Sequence, residues 1–225
     1  MVRSVLLSAA SLSIGNILAS PNLIVNGSFE VPAGNYQLVP GDVSYPPGWQ
    51  TVLNGVELFT STDIGVGFPF STTIQDGVKA VDLAPFRFTG GGLRQTFATT
   101  PGFTYEVSFW AGTENVWDKV GTGSVVVRVE SPDESVIVEH QYRLQNFTRD
   151  IVWAEKSFTY VATESASTLM FRSFDDASLH LAAIDNVAVR ALTVPEPSPL
   201  EFAAVAVAAA ALVLRCPNSK RGTNR

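Results

Sequence analysis

The sequence contains one cysteine and two histidines, and both shortages narrow the chemistry available to it. Cys216 lies in a basic stretch near the C-terminus, so the preceding part of the chain has no disulfide and no thiol chemistry. His140 and His180 are far apart, and no nucleophile elbow, metalloprotease helix or phosphate-binding loop is present. We therefore expect a protein that is not an enzyme. A hidden carboxylate pair, such as Asp118 with Glu139, is the alternative that remains open.

Basic residues are also scarce before the C-terminus. Between Ser20 and Val194, ten Lys and Arg stand against nineteen Asp and Glu, a net charge of −9, and the pI of the chain is near 4.9. Without a basic stripe to neutralise phosphates, the sequence excludes nucleic acid as a partner. The last apolar run is followed by basic residues and no acid: Arg215, Lys220, Arg221 and Arg225. This asymmetry predicts an exported acidic domain and a cytoplasmic basic tail.

The N-terminus has the pattern of a secretory signal peptide. Arg3 precedes a weakly apolar run from Ser4 to Leu18, and cleavage is expected near Ala19. An N-terminal core helix is the alternative, but Gly15, Asn16 and Pro21 would break it early. We expect residues 1–19 to be a signal peptide and the mature protein to be exported.

Residues 193–225 form a proline-rich spacer, an apolar run and the basic tail. The prolines exclude a helix interior and make the spacer stiff and extended. As a helix, the apolar run from Leu200 to Leu214 would be about 22 Å long, short against a hydrocarbon core of about 30 Å. The sequence therefore predicts a short transmembrane helix that anchors the protein only marginally.

The order of Pro195, Glu196 and Pro197, an apolar helix and an Arg-bearing end resembles the PEP-CTERM sorting signal of bacteria. The resemblance implies that an exosortase-type membrane protease cleaves the tail and releases or re-anchors the protein at the cell surface. The basic tail, 215–225, is longer than is usual in that pattern. An ordinary single-span anchor is the alternative.

Residues 20–192 are predicted to form one all-β domain. Apolar residues alternate with polar ones at 93–97, 105–111, 123–130 and 169–173, the period of half-buried strands. Turn signals separate them, among them Pro46-Pro47-Gly48, Pro101-Gly102 and Ser131-Pro132-Asp133. Short strands at this spacing predict a β-sandwich or jelly roll.

The same region resembles the bacterial choice-of-anchor C family. The resemblance is carried, in order, by the blocks at 22–30 (NLIVNGSFE), 48–49 (GW), 76–83 (DGVKAVDL), 91–97 (GGLRQTF), 100–105 (TPGFTY) and 184–187 (IDNV). That family is related to a plant cell-wall domain of unknown function and is similar in fold to galactose-binding-like jelly rolls. The resemblance implies a β-sandwich with a cell-surface or polysaccharide-associated role and no established enzymatic activity.

Two carboxylates are candidate metal ligands. By strand alternation, Asp185 shares the apolar face of Val187 and Val189, where an acid is costly unless it is paired or metal-bound. Glu30 follows the Asn26-Gly27 turn after the expected first strand, and in this fold the first and last strands are neighbours. Two carboxylates and backbone carbonyls suit a structural calcium, as related carbohydrate-binding jelly rolls carry. The alternative is that both side chains accept backbone N–H groups in turns.

Aromatic residues in loop-like, Gly- and Pro-rich surroundings are candidate sugar contacts, because sugars stack on aromatic faces and bond to polar neighbours. These residues are Tyr45, Phe68, Phe70, Phe86, Phe88 and Trp117. We interpret Trp49, Trp110 and Trp153 as packing residues. The sequence thus favours a non-catalytic cell-surface or extracellular protein that binds polysaccharide or organises extracellular matrix. A structural envelope protein without a sugar site is the alternative, followed by a glycan-active enzyme.

Overall fold

The computed structural model of the protein describes residues 20–31, 33, 37–61, 73–85, 89–115, 121–148, 150–176 and 180–192. The chain divides into two units, 1–192 and 193–225, and all described residues lie in the first. The strands in these ranges are β1 (Gln37–Val39), β2 (Gln50–Leu53), β3 (Val56–Thr60), β4 (Lys79–Asp82), β5 (Thr89–Ala98), β6 (Thr104–Asn115), β7 (Gly121–Glu130), β8 (Val136–Asn146), β9 (Val152–Val161), β10 (Ala166–Asp176) and β11 (His180–Ala191). No helix that could span a bilayer occurs among the described residues, and the predicted span at 200–214 lies outside them.

The strands form two antiparallel sheets. Sheet A contains six strands in the order β1-β3-β4-β11-β6-β9, and sheet B contains five in the order β2-β5-β10-β7-β8. The described ranges contain strands and turns but no helix. The predicted all-β sandwich is therefore confirmed.

The predicted alternation selects the faces that form the core. In β6, Tyr105, Val107 and Phe109 are buried between the sheets, and in β7, Val125 and Val127 are fully buried. Successive side chains of a strand point to opposite faces, so the intervening residues lie on the outer faces of the sheets. Removing the apolar faces from water is the main stabilising contribution to this arrangement.

Aromatic rings fill the centre of the core. The rings of Phe29 and Trp49 lie 5.4 Å apart between centroids, and those of Phe109 and Phe171 lie 4.9 Å apart. The Trp49 indole also donates its N–H to the Asn26 carbonyl oxygen at 3.1 Å. Burial together with a satisfied indole confirms the prediction that Trp49 is a packing residue.

Trp110 and Trp153, also predicted to be packing residues, are half-buried rather than central. Trp153 packs against a small second cluster on sheet A that includes Phe59 and Ile151. Its indole donates to the Thr73 carbonyl oxygen at 2.7 Å. The segment at residue 73 is thereby held against sheet A.

The first part of the domain is bonded to the last strand without forming a strand itself. The Leu23 amide donates to the Val189 carbonyl, and the Val187 amide donates to the Gly27 carbonyl, each at 2.9 Å. Asn26 adopts the left-handed φ of 53°, as the predicted turn requires. Gly27 is needed for another reason, since a Cβ there would lie 2.1 Å from the Val187 carbonyl oxygen. The predicted adjacency to β11 is present, but the predicted first strand is replaced by a turn-rich segment.

A β-bulge in β11 contradicts the predicted face of Asp185. The strand pairs Asp185 with Trp110 but Ala188 with Ser108, so Asn186 and Val187 lie opposite the single residue Phe109, and β11 contains one extra residue. Asn186 takes up the irregularity with a φ of 48°. As a result Val187 and Val189 face the main core, whereas Asp185 lies on the opposite, outer face of sheet A. The period-two assumption failed because one bulge reverses the face of every residue on one side of it.

Candidate functional site

One of the predicted sugar-contact residues, Tyr45, lies in the described part of the chain, where it is half-buried against the main core and its hydroxyl donates to Gln37 Oε1. The other five lie outside the described part of the chain. Phe68, Phe70, Phe86, Phe88 and Trp117 fall in the gaps at 62–72, 86–88 and 116–120. The sorting residues Pro195, Glu196 and Pro197 also lie outside the described residues. Both sets therefore stay predictions.

The predicted metal ligands Glu30 and Asp185 both accept hydrogen bonds from the segment that precedes β4. They hold the same segment, residues 75–79, and we call this arrangement the carboxylate clamp. Its hydrogen bonds run from Asp76 N to Asp185 Oδ2 (2.8 Å), Val78 N to Glu30 Oε1 (2.8 Å) and Lys79 N to Glu30 Oε1 (2.9 Å). The Asn186 amide donates to the second Asp185 oxygen at 2.7 Å. The two acids thus fix the loop that leads into β4.

Burial dominates the electrostatics of Asp185, which is fully buried. Burial raises the pKa of this carboxyl group to about 7, since the charged form loses its hydration. The amide hydrogen bonds from Asp76 and Asn186 lower the pKa and offset part of that increase, and the negative charge of Asp76 adds to it. Asp185 therefore changes its charge near neutral pH.

The donors around the clamp fit the hydrogen-bonding alternative for these acids. Glu30 Oε1 and both oxygen atoms of Asp185 accept backbone N–H groups, whose protons point to where a cation would bind. Across the ranges that the structure covers, no group of three or more His, Cys, Asp and Glu is placed to hold a metal ion. A structural calcium at Glu30 and Asp185 stays a prediction.

A site that the sequence did not predict lies on the outer face of sheet B. Phe174, near the end of β10, is 55% exposed, and the guanidinium carbon of Arg172 lies 5.0 Å from the centroid of its ring. Directly opposite Arg172 on β5 is Gly92, where a Cβ would lie 2.5 Å from the Phe171 carbonyl oxygen. The face therefore presents an aromatic ring and a cation, whereas Gly92 is buried, with Val52 and Arg172 side-chain atoms 3.1 Å from where its Cβ would lie. We call Phe174, Arg172 and Gly92 the ring platform.

Ion pairs hold the arginine of the ring platform in place. Glu139 on β8 accepts from Arg172 at 3.0 Å and from Arg128 Nε at 2.7 Å. Arg128 also donates to Glu130 at 3.1 Å. The hydrogen bond from Arg128 lowers the pKa of Glu139, so this carboxylate stays charged over a wide pH range. A fixed guanidinium loses little conformational entropy when a ligand binds.

A polar depression lies at the edge of sheet B, where β5 meets β2, and the outer-face residues Gln50, Arg94 and Thr96 form part of its lining. It has a volume of about 320 Å³, and its lining includes Ser44, Trp49, Gln50, Arg94, Gln95 and Thr96. The Gln95 side chain makes two hydrogen bonds with the Val25 backbone, at 2.7 and 2.9 Å, and the Trp49 indole is bonded to Asn26. The walls of the depression are therefore rigid.

Several polar residues of sheet B make contacts that stabilise the fold. Asp175 accepts from the amide and hydroxyl of Ser124, which ties β10 to β7. His140 packs its ring 4.6 Å from that of Phe158. Asn146, in a glycosylation-like triplet, is buried and donates to the Thr113 carbonyl oxygen at 2.7 Å. Each of these side chains therefore has a structural role in the fold.

Comparison with protein families and known proteins gives one family match. The family described as "Protein of unknown function (DUF642)" matches residues 22–190. No curated protein matches the chain significantly.

Solved structures with similar folds include carbohydrate-binding modules and part of an enzyme. A family 61 carbohydrate-binding module solved with β-1,4-galactotriose has 15% identity and a TM-score of 0.49, covering 77% of this chain and 100% of that one. The xylan-binding domain of a Paenibacillus barcinonensis protein has 13% identity and a TM-score of 0.42, covering 68% and 91%. The enzymatically active domain of a bacteriophage CBA120 tailspike has 15% identity and a TM-score of 0.44, and this chain, over 76% of its length, spans about a fifth (21%) of it.

Proposed function

This chain belongs to the DUF642 family of proteins of unknown function, and we propose that it is an exported, non-catalytic protein that binds polysaccharide at the cell surface or in the extracellular matrix. The family description names no activity, so the proposal rests on the geometry of the outer face of sheet B. The observation that carries it is the exposed Phe174 ring with the fixed Arg172 guanidinium beside it. The galactose-binding-like jelly-roll and choice-of-anchor C resemblances agree with this role and are part of the proposal.

The ring platform offers the two kinds of contact that a sugar ring needs. One face of a pyranose is rich in C–H groups and packs on an aromatic ring, while its hydroxyl groups bond to planar donors and acceptors. Phe174 supplies the ring, and Arg172 with Glu139 supplies donors and an acceptor beside it. Gly92 contributes no side chain of its own beside Arg172, so the Arg172 side chain packs over this position of β5.

Substitution of Phe174 tests this function. We expect Phe174→Ala to weaken binding to a retained polysaccharide about tenfold, or about 1.4 kcal/mol, because the stacking surface is lost. Affinity electrophoresis of the full-length protein through gels containing a panel of neutral and acidic polysaccharides measures this.

Phe103→Ala is the matched control, because Phe103 is 54% exposed and precedes β6, away from the ring platform. Its binding and its melting temperature should equal those of the wild type. If no polysaccharide in the panel retards the wild-type protein, the polysaccharide proposal fails and the structural envelope role takes its place. Turnover of a polysaccharide by the wild type would instead favour the glycan-active enzyme.

Export and sorting complete the proposal. The signal peptide at 1–19 directs export, and the Pro195-Glu196-Pro197 signal with its apolar run holds the protein transiently in the membrane for an exosortase-type protease. Mass spectrometry of the protein from its native host should show a mature N-terminus near Ser20 and loss of the basic tail. An intact tail that includes Cys216 would contradict cleavage and favour a permanent single-span anchor.

A further inference from the structure

Arg94 differs from Arg128 and Arg172, two arginines of the same outer face of sheet B, in how its guanidinium is used. Its Nε donates to Gln50 Oε1 at 3.1 Å, which orients the group. The carboxylate that its terminal nitrogen atoms approach is Glu134, at 3.9 Å and 77% exposed. Arg128 and Arg172, in contrast, bond to glutamates at 2.6 to 3.1 Å. An exposed ion pair at such a distance contributes little, so the terminal N–H groups of Arg94 are available to a ligand.

Arg94 lies in a depression among other polar side chains rather than on an open surface. Arg94 lines the depression of about 320 Å³ described above and is its charged residue. Thr96 and Ser44 add hydroxyl groups to the lining. Because Gln50 occupies Nε, the two terminal amino groups form the fork that matches the two oxygen atoms of a carboxylate.

The depression is in line with the ring platform. Arg94 and Gly92 both point to the outer face of β5, and Gly92 lies opposite Arg172. With a rise of about 3.3 Å per residue, the two positions on β5 are about 7 Å apart. A linear polymer that stacks on Phe174 and runs along the strand direction past Arg172 therefore continues to Arg94.

We propose that Arg94 is a specificity-determining residue that binds the carboxylate of a uronic acid unit, so that the preferred ligand is an acidic polysaccharide. This inference rests on the proposed polysaccharide binding and adds the chemical class of the ligand. The domain as a whole carries a net charge of −9 and repels polyanions. Selective binding of an acidic polymer therefore depends on a local cationic group, here the two terminal amino groups of Arg94. The ligand carboxylate replaces the weak contact with Glu134.

The test compares polygalacturonate with the same polymer after reduction of its carboxyl groups. We expect the full-length wild type to bind polygalacturonate at least tenfold more tightly than the reduced polymer, in the presence of a chelator. Arg94→Gln should lose that preference and bind both polymers as the wild type binds the reduced one. Arg143→Gln, which removes a charge from the exposed edge strand β8, is the control and should keep the preference.

Each other outcome overturns a defined part of the inference. Equal wild-type binding to both polymers contradicts the uronate assignment and leaves the proposed function intact, whereas binding to neither contradicts the proposed function. If the wild type prefers polygalacturonate only when the chelator is absent, then a bridging calcium ion, and not Arg94, binds the carboxylate of the polymer. An equal loss for Arg94→Gln on both polymers shows a role without charge recognition. Tighter binding of a sulfated polymer than of polygalacturonate replaces the carboxylate with a sulfate group.

Discussion

Replacing Gly27 with alanine is expected to lower the free energy of unfolding by about 3 kcal/mol. The added Cβ would lie 2.1 Å from the Val187 carbonyl oxygen and 3.4 Å from an Ile24 methyl group. A backbone carbonyl that accepts the Asn22 side-chain amide at 3.1 Å cannot move aside without breaking the contacts between the N-terminal segment and β11. Urea denaturation of the full-length protein, followed by tryptophan fluorescence, measures the change.

Gly102→Ala separates crowding from backbone strain. Gly102 has a left-handed φ of 83°, but a Cβ there would meet no atom within 4 Å. We expect this variant to lose only about 1 kcal/mol, the usual cost of a side chain at such a φ. If the two variants lose the same free energy of unfolding, then the segment at Gly27 moves aside at little cost, and the first part of the domain is not fixed to β11.

Asp185 is expected to make the protein more stable as the pH falls from about 7 to 4. Its pKa in the folded state is about 7, above the ordinary value of 3.8, so the folded protein binds a proton that the unfolded chain releases in this window. The contribution is fully present below pH 4 and is lost as the pH rises toward 7. At about 1.4 kcal/mol per pKa unit, the change is about 4 kcal/mol.

Asp185→Asn isolates this effect from the titration of other carboxylates. The variant carries no ionisable group at this position, so its stability relative to the wild type should improve by about 4 kcal/mol between pH 4 and 8. Urea denaturation at a series of pH values, with a chelator present, gives the difference. Parallel curves for the two proteins would show that Asp185 keeps its ordinary pKa.

Bound calcium would reverse the predicted effect of pH on stability, so adding calcium directly tests the predicted metal site. A cation between Glu30 and Asp185 stabilises the charged carboxylate and lowers its pKa. If calcium raises the melting temperature of the wild type at pH 7 but not that of Asp185→Asn, then the two acids are metal ligands. If calcium has no effect on either protein, they act only through the backbone amides of residues 75–79.

The core could be predicted from sequence because alternation within a strand is a local property. Tyr105, Val107 and Phe109 face the core because nothing interrupts the period of two in β6. The same rule failed at Asp185, because the bulge at Asn186 depends on packing between strands distant in sequence. A left-handed asparagine before an apolar pair is a weak local signal of such a bulge.

The ring platform was missed because exposure of a strand residue depends on which neighbours surround it. Alternation of Leu169, Phe171 and Ser173 implies that Arg172 and Phe174 share the opposite face of β10. That signal was available, yet it does not show that Gly92 lies opposite Arg172. Strand register is a long-range property, and it decides whether an aromatic residue is covered or exposed.

The position of β11 determines how the domain bears mechanical load. This last strand lies inside sheet A between β4 and β6, and ten of its residues pair with β6. Tension applied at the chain exit after Leu192 acts along β11, perpendicular to the inter-strand hydrogen bonds of both neighbours. Those bonds are loaded in shear and must break together, whereas a terminal edge strand would be peeled away one bond at a time. Under the proposed attachment of a polymer to sheet B and of the C-terminus to the membrane, the load would pass through these shear-loaded bonds.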